Sequence, residues 1–277
     1  PSASDVPKGT KEVPLPKSRR PEVLEWFKRI GFVRKNPGEL PPDFPTQLLS
    51  PDFEIDGDRI SRFTGVAVPT LQSVRQYNDN LACWYNQILG CNFDLEIDTH
   101  AYLANLVEQV EADRVLSAGC GTGITICFLA HSYPDVEFVG WDLSSEMLRQ
   151  ARELKERFGL NNLMLHHCSH SQAPDLICHP ADLIISKCSL YAGNVRILHF
   201  DCPSNSDVTR EDFLRFDPIM REIANLFEIM ASMLRSGGEF VEVAQTKPPN
   251  HEVHKTLCTE AGFLAGERHI FWKDAPC

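Results

Sequence analysis

The stretch VLSAGCGTG, Val115 to Gly123, packs three glycines into five residues directly behind an apolar run. A continuous apolar run of this length reads as a strand buried on both faces of a parallel sheet. Glycine inside a strand weakens it, so the three glycines belong to the turn that follows. There they allow positive φ and let main chain approach a ligand with no Cβ in the way. Ile124 to Ala130 is apolar again and opens a helix. Strand, glycine turn and helix in this order form the first half of a nucleotide-type site in an α/β fold.

The pattern behind the loop repeats this alternation. Strands are expected at Arg114–Ala118, Glu137–Trp141 (ending in Asp142), Leu163–His167, Asp182–Ser186 and Glu239–Ala244. Helices are expected at about Gly123–His131, from the Ser144-Ser145-Glu146 cap to Phe158, and at roughly Phe216–Arg235, with Ser236-Gly237-Gly238 as the turn into the next strand. A helix near His251–Ala261 and a last strand at Arg268–Lys273 follow. Alternating strands and helices imply a mostly parallel sheet with helices on both faces, a three-layer Rossmann-like α/β fold.

Ahead of this region the texture changes. Ten of the 19 prolines fall in residues 1–51, which marks residues 1–60 as an irregular arm. One short helix is expected inside it: Pro21 suits a first turn, and Val23, Leu24, Trp26, Phe27 and Ile30 form an apolar face that stops at Gly31. Residues 61–277 form the main domain. Its leading segment, residues 70–89, shows helical spacing, and a second helix is expected near His100–Val110.

Charge separates the same two regions. Residues 1–35 carry nine Lys/Arg against four Asp/Glu, or +5, so the remainder carries -16 of the net -11. An acidic main domain argues against broad nucleic-acid binding, which rests on Lys/Arg at phosphates. The basic arm reads either as a solvated tail or as a docking segment for an acidic partner. No apolar run approaches the roughly 18 residues that span a bilayer. None of the ten cysteines forms a CxxC pair, which fits reduced thiols and a cytoplasmic protein.

The companion to the glycine loop is Asp142, 19 residues after Gly123 at the end of the second strand. A carboxylate there accepts both hydroxyl hydrogens of a ribose. The loop reads GxGxG; behind it come FVGWDLSSEML (Phe138–Leu148) and LRSGGEFVEV (Leu234–Val243). In order and spacing these segments resemble the class I S-adenosylmethionine-dependent methyltransferases over about residues 100–263. The resemblance implies S-adenosylmethionine as cofactor and S-adenosylhomocysteine as product.

It also implies roles at matching positions. Gly119, Gly121 and Gly123, with Ala118 and Cys120 in the same turn, wrap the amino-acid end of the cofactor. Asp142 holds the ribose and Leu143 lies against the adenine. Where the family often has Asp after the third strand, this chain has Cys168-Ser169, so either Ser169 or main chain is expected to take that contact. Ser186 and Lys187 line the methionine end. Tyr77 and Tyr85 read either as a lid from the helix at 70–89 or as ordinary packing of an amphipathic helix. The family closes with two antiparallel strands, and only 14 residues follow Phe263, so one strand is expected to be short or missing.

The acceptor side is expected in residues 188–216, a long connection on the ligand edge of the sheet. His199 is the first candidate base and Tyr191 the second, with Asp201 able to orient either; a plain surface role for His199 stays open. The His166-His167-Cys168-x-His170 cluster matches no zinc spacing, and adjacent strand residues point to opposite faces, so no metal is expected. Ser186-Lys187-Cys188-Ser189 stands where enzymes that methylate planar nitrogens carry Asn-Pro-Pro-Tyr, which disfavours that chemistry. Three functions remain: a methyltransferase of small-molecule O, N or C acceptors, a protein or RNA methyltransferase docking through the arm, or a cofactor-binding protein without transfer. The sequence leaves the oligomeric state open.

Overall fold

The computed structural model describes residues 19–36, 71–187, 218–243 and 261–262. The described residues form helices α1 (Arg20–Ile30), α2 (Leu71–Cys91) and α3 (Phe93–Gln109), and then strand β1 (Arg114–Ala118). Next come α4 (Ile124–Ser132), β2 (Glu137–Asp142), α5 (Ser145–Phe158), β3 (Leu163–His167), α6 (Ala173–Leu176), β4 (Ala181–Lys187), α7 (Pro218–Ser232) and β5 (Leu234–Val243). The sheet order is β3-β2-β1-β4-β5. Every pairing is parallel, with Val115 opposite Phe138 on one side and Leu183 on the other. The order reverses between β1 and β4, and ligands of open α/β sheets sit at such a switch point, over the strand carboxyl ends.

Period-two alternation gives each strand two apolar faces. Val115, Phe138, Leu183 and Ile185 face a cluster built with α1, α3 and α4. Leu116, Ala118, Val139, Trp141 and Ile184 face the opposite side, against Ala173, Met230 and Met233. The result is the expected three-layer Rossmann-like arrangement. Residues Ile124 and Ile126 to Ala130 are all buried, so α4 is apolar nearly all round rather than amphipathic.

The helix at the start of the described chain is built into the first cluster. Trp26 and Phe27 are 2% and 1% exposed. Trp26 stacks on His131 and contacts Phe128 and Phe158, while Phe27 meets Phe32, Phe93 and His100. Arginines tie its rim to α3: Arg19 to Glu108, Arg20 to Asp98 and Arg34 to Asp94. Gly31 ends α1 at φ 75°, a left-handed cap.

Three boundaries differ from expectation. α3 starts at Phe93 rather than near His100, because Asp94 and Glu96 favour a helix N-terminus and Ile97 continues the buried face. α7 ends at Ser232 rather than Arg235. The Ala181 amide donates to the Met233 carbonyl at 2.9 Å and Arg235 pairs with Asp182 at 2.6 Å, drawing Leu234 into the sheet opposite Ala181. The expected turn at Ser236-Gly237-Gly238 therefore becomes an irregularity inside β5: the register jumps from Ala181/Leu234 to Leu183/Glu239, with Gly237 at φ 79°. Residues 1–18 and 37–60 of the expected arm, the helix at 251–261 (apart from Ala261), the strand at 268–273 and the connection at 188–216 lie outside the described residues. No described helix is long and apolar enough to cross a membrane.

Candidate functional site

Three left-handed glycines shape the turn after β1: Gly119, Gly121 and Gly123 have φ of 65°, 55° and 80°. Main-chain hydrogen bonds hold it. The Cys120 amide donates to the Trp141 carbonyl at 2.9 Å, prolonging the β1–β2 pairing, and the Gly123 amide donates to Cys120 at 3.1 Å. Each of the latter two glycines meets a different neighbour. A Cβ on Gly123 would stand 2.6 Å from the Ala151 Cβ, so this glycine lets α4 and α5 close on each other. Among the described residues, a Cβ on Gly121 would find only Tyr85 Cε1, at 3.6 Å.

Asp142 ends β2 beside this turn. Its Oδ2 accepts the Gly121 amide at 2.9 Å and its Oδ1 accepts the Ser144 amide at 2.8 Å. Burial pushes its carboxyl above the usual range, against the Ser144, Gly121 and Leu143 amides, and the nearby Asp79 carboxylate adds to the rise. A carboxylate has about four acceptor positions, so acceptor capacity remains beyond these amides. Ser144 caps α5, accepting the Met147 amide at 3.1 Å. Leu143 is half-buried, and its carbonyl accepts from His167 Nε2 at 2.9 Å.

Of the remaining sequence candidates, Ala118 and Ser186 are fully buried neighbours in register at the β1 and β4 ends. Lys187 pairs with Glu96, itself 4% exposed. Glu96 sits one turn before His100, whose Nδ1 donates to the Glu96 carbonyl at 2.7 Å; burial holds His100 down to about 3, so it is neutral. Ser169 is buried, and its groups serve a local turn: the hydroxyl meets Ser171 and Gln172, and the amide donates to Gln172. Cys120 is a thiol that burial, then the Asp142 charge, push well above its usual range. Tyr77 lies on α2 with its side chain outside the described residues. Tyr191, His199 and Asp201 also lie outside them.

Sequence reasoning missed the polar stripe of α2. Asn86 Oδ1 accepts from Thr122 Oγ1 at 2.7 Å, the Ala82 carbonyl accepts from Gln150 at 2.8 Å, and Asp79 accepts from Ser144 Oγ at 2.6 Å. Asp79 and Asn86, seven residues apart on one helix face, were its available signal, whereas Ala82 takes part only through its main-chain carbonyl. It also missed Glu242, opposite Ser186 on β5, whose carboxyl burial pushes up to about 8. A cavity of about 410 Å³ lies on the flank of the turn, walled by Phe32, Lys35, Asn86, Thr122, Gln150 and Arg157. None of Asp142, Leu143, Ser186 or Lys187 lines it.

A family model described as "Methyltransferase domain" matches residues 109–263. A malonyl-(acyl-carrier protein) O-methyltransferase of Herminiimonas arsenicoxydans is 45% identical over 70 residues, 25% of this chain and 25% of that protein. A trans-aconitate 2-methyltransferase of Pseudomonas paraeruginosa is 34% identical over 90 residues, 32% of this chain and 33% of that protein. The chain spans between 14% and 33% of the length of the curated relatives it matches. Among solved structures, an O-methyltransferase family protein from Burkholderia thailandensis aligns at 16% identity with a TM-score of 0.48, covering 76% of this chain and 59% of that one.

Proposed function

The chain belongs to the methyltransferase-domain family, the class I S-adenosylmethionine-dependent methyltransferases, and from that premise we propose that it methylates a small-molecule acceptor. The observation that carries the reading is Asp142, a carboxylate anchored to the Gly121 and Ser144 amides with acceptor capacity to spare beside a left-handed glycine turn. Among the described residues the space a Gly121 Cβ would take meets Tyr85 alone, as a cradle for a ligand requires.

When bound, the cofactor supplies an activated methyl group on a sulfonium, which leaves by in-line displacement. The residues of this chain bind, align and exclude water. Asp142 accepts the ribose hydroxyls, Gly119 to Gly121 leave room for main-chain contact, and Leu143 offers an apolar surface to the adenine. Lys187, held by Glu96, and the buried Ser186 close the methionine end. Ser169, Tyr77 and Tyr85 complete the proposed cofactor set, as do Ala118, Cys120 and Gly123 by shaping the turn.

Acceptors that carry carboxylates are the favoured class, because two of the relatives are named for malonyl and trans-aconitate groups. A carboxylate oxygen is already a nucleophile at neutral pH and needs no base. In that case His199, Tyr191 and Asp201 position the acceptor. For a hydroxyl, amine or carbon acceptor, His199 is the proposed base. Among the described residues Cys91, Cys120, Cys127, Cys168 and Cys178 carry free thiols, which supports the cytoplasm as the proposed compartment.

The test is calorimetric titration with S-adenosylhomocysteine, followed by labelled S-adenosylmethionine with a panel of small carboxylic acids. Binding that weakens at least tenfold in Asp142→Ala supports the cofactor assignment, since a lost charged acceptor leaves both hydroxyls unpaired. Unchanged binding in that variant overturns it. Label in macromolecules instead of small acids moves the acceptor to protein or RNA, and binding without any transfer leaves a cofactor-binding protein. His199→Ala, assayed once an acceptor is in hand, lowers turnover about a hundredfold if His199 is the base.

A further inference from the structure

We propose that Asp79 is a positioning residue for the cofactor site, acting through Ser144 to set both the ribose acceptor Asp142 and the seat of helix α2. The inference rests on the cofactor reading above.

Asp79 belongs to α2, where its Oδ2 lies 3.7 Å from Arg75 of the same helix, yet its Oδ1 serves another element. Its Oδ1 accepts the Ser144 hydroxyl at 2.6 Å and the Glu146 amide at 3.2 Å, at the N-terminus of the 14-residue α5. Anionic oxygens are favoured there by the unpaired amides and the helix dipole. Ser144 is fully buried and engaged on every side. Its hydroxyl donates to Asp79 and accepts from the Met147 amide, while its own amide donates to Asp142. One residue thus holds two carboxylates from different elements. The relay continues from Asp142 to the Gly121 amide, so four residues link α2 to the glycine turn.

The contact is one of three along a single face of α2. Ala82 and Asn86 follow at i+3 and i+7, and they engage Gln150 of α5 and Thr122 of the turn. Tyr85 stands over Gly121 from the same helix. Seating α2 and orienting the Leu143–Ser144 segment are therefore one event. Remove the Asp79 oxygen and the Ser144 hydroxyl keeps its cap on α5 but loses its only acceptor among these contacts. The Ser144 amide that aims Asp142 then lies on a less constrained segment. Among the described residues the hydrogen bonds of Asp79 go to Ser144 and Glu146, so it reaches Asp142 through this relay and, at longer range, through its charge.

The experiment is calorimetry of the full chain with S-adenosylhomocysteine in Asp79→Ala, Asp79→Asn, Ser144→Ala and the Asp79→Ala/Ser144→Ala double variant. Asp79→Ala is expected to weaken binding about tenfold, as loss of a charge-assisted hydrogen bond does. Asp79→Asn keeps an oxygen in place for both donors and is expected to recover affinity to within about threefold of wild type. In the double variant the two losses should not add, because both break the same relay. Wild-type affinity in Asp79→Ala overturns the inference, as does full additivity in the double variant. If Asp79→Ala fails to fold, Asp79→Asn decides: tenfold weaker binding there means charge rather than the hydrogen-bonded relay matters, and the inference falls. A wild-type protein that does not bind the probe at all refutes the cofactor reading itself, a separate outcome.

Discussion

The Cβ that Gly123 lacks would stand 2.6 Å from the Ala151 Cβ and 2.8 Å from its Cα. The third glycine of the turn is thus committed to the approach of α4 and α5, and it sits at φ 80°, where an L side chain is strained. Gly123→Ala is expected to destabilise the fold by about 2–5 kcal/mol, from left-handed strain and overpacking together. Among the described residues Gly121→Ala has only Tyr85 at 3.6 Å to meet, so its expected cost is that of the backbone, about 1–2 kcal/mol. Denaturant titration of the ligand-free variants measures both. Equal losses at the two positions would contradict the division of labour between the glycines.

Helix α1 makes a second expectation possible. Trp26 and Phe27 are wholly enclosed by residues from α3, α4 and α5, far along the chain. Trp26→Ala should cost about 3–5 kcal/mol, the usual range for a large buried aromatic. Leu24 is 43% exposed on the same helix, and Leu24→Ala should cost little, within about 1 kcal/mol. If Trp26→Ala unfolds at the wild-type denaturant midpoint, α1 does not belong to the cooperative core.

What could be read in advance follows from how local the determining physics is. β1 and β3 fall on their expected residues because each is a short apolar-rich run between polar turns, and burial on a sheet demands little else. The Asp142 to Gly121 juxtaposition was legible because strand, turn and strand place the two by topology alone. Asp79 and Ser144 lie 65 residues apart, and nothing local says which buried hydroxyl a helix-borne carboxylate will find. Lys187 and Glu96, 91 residues apart, pose the same problem. Ser169 is a local case: its amide and hydroxyl engage Gln172 and Ser171 of its own turn, an arrangement that S-x-x-Q spacing does signal. The early start of α3 was missed because Asp94, Glu96 and Asp98 look solvated until Lys187 and Arg20 are brought to them by the fold.

Glu242 carries the pH dependence. It lies near the carboxyl end of β5, opposite Ser186, with Oε1 shut away from solvent although the residue as a whole is only partly covered. Burial pushes its carboxyl from 4.5 up to about 8. Between those two values the native state keeps a proton that the unfolded chain has lost. Stability must then fall as pH rises through this window, because the unfolded state binds fewer protons. Below about 4.5 both states are protonated, and above about 8 both are ionised, so the penalty is first absent and then constant. Glu242→Gln keeps the shape and removes the titration. The variant is expected to match wild type near pH 4.5 and to become progressively more stable than it up to pH 8, by at most about 1.4 kcal/mol per pH unit. Taking the difference between the two proteins cancels other titrating groups, including His100, whose depressed value makes it lose stability in the opposite direction, as pH falls below 6.5 towards about 3. Paired denaturant titrations at pH 5, 6.5 and 8 supply the measurement. A stability gap that stays constant across the three, or that closes as pH rises, would show that Glu242 is ionised in the native protein and that its carboxylate is solvated or paired with a cation.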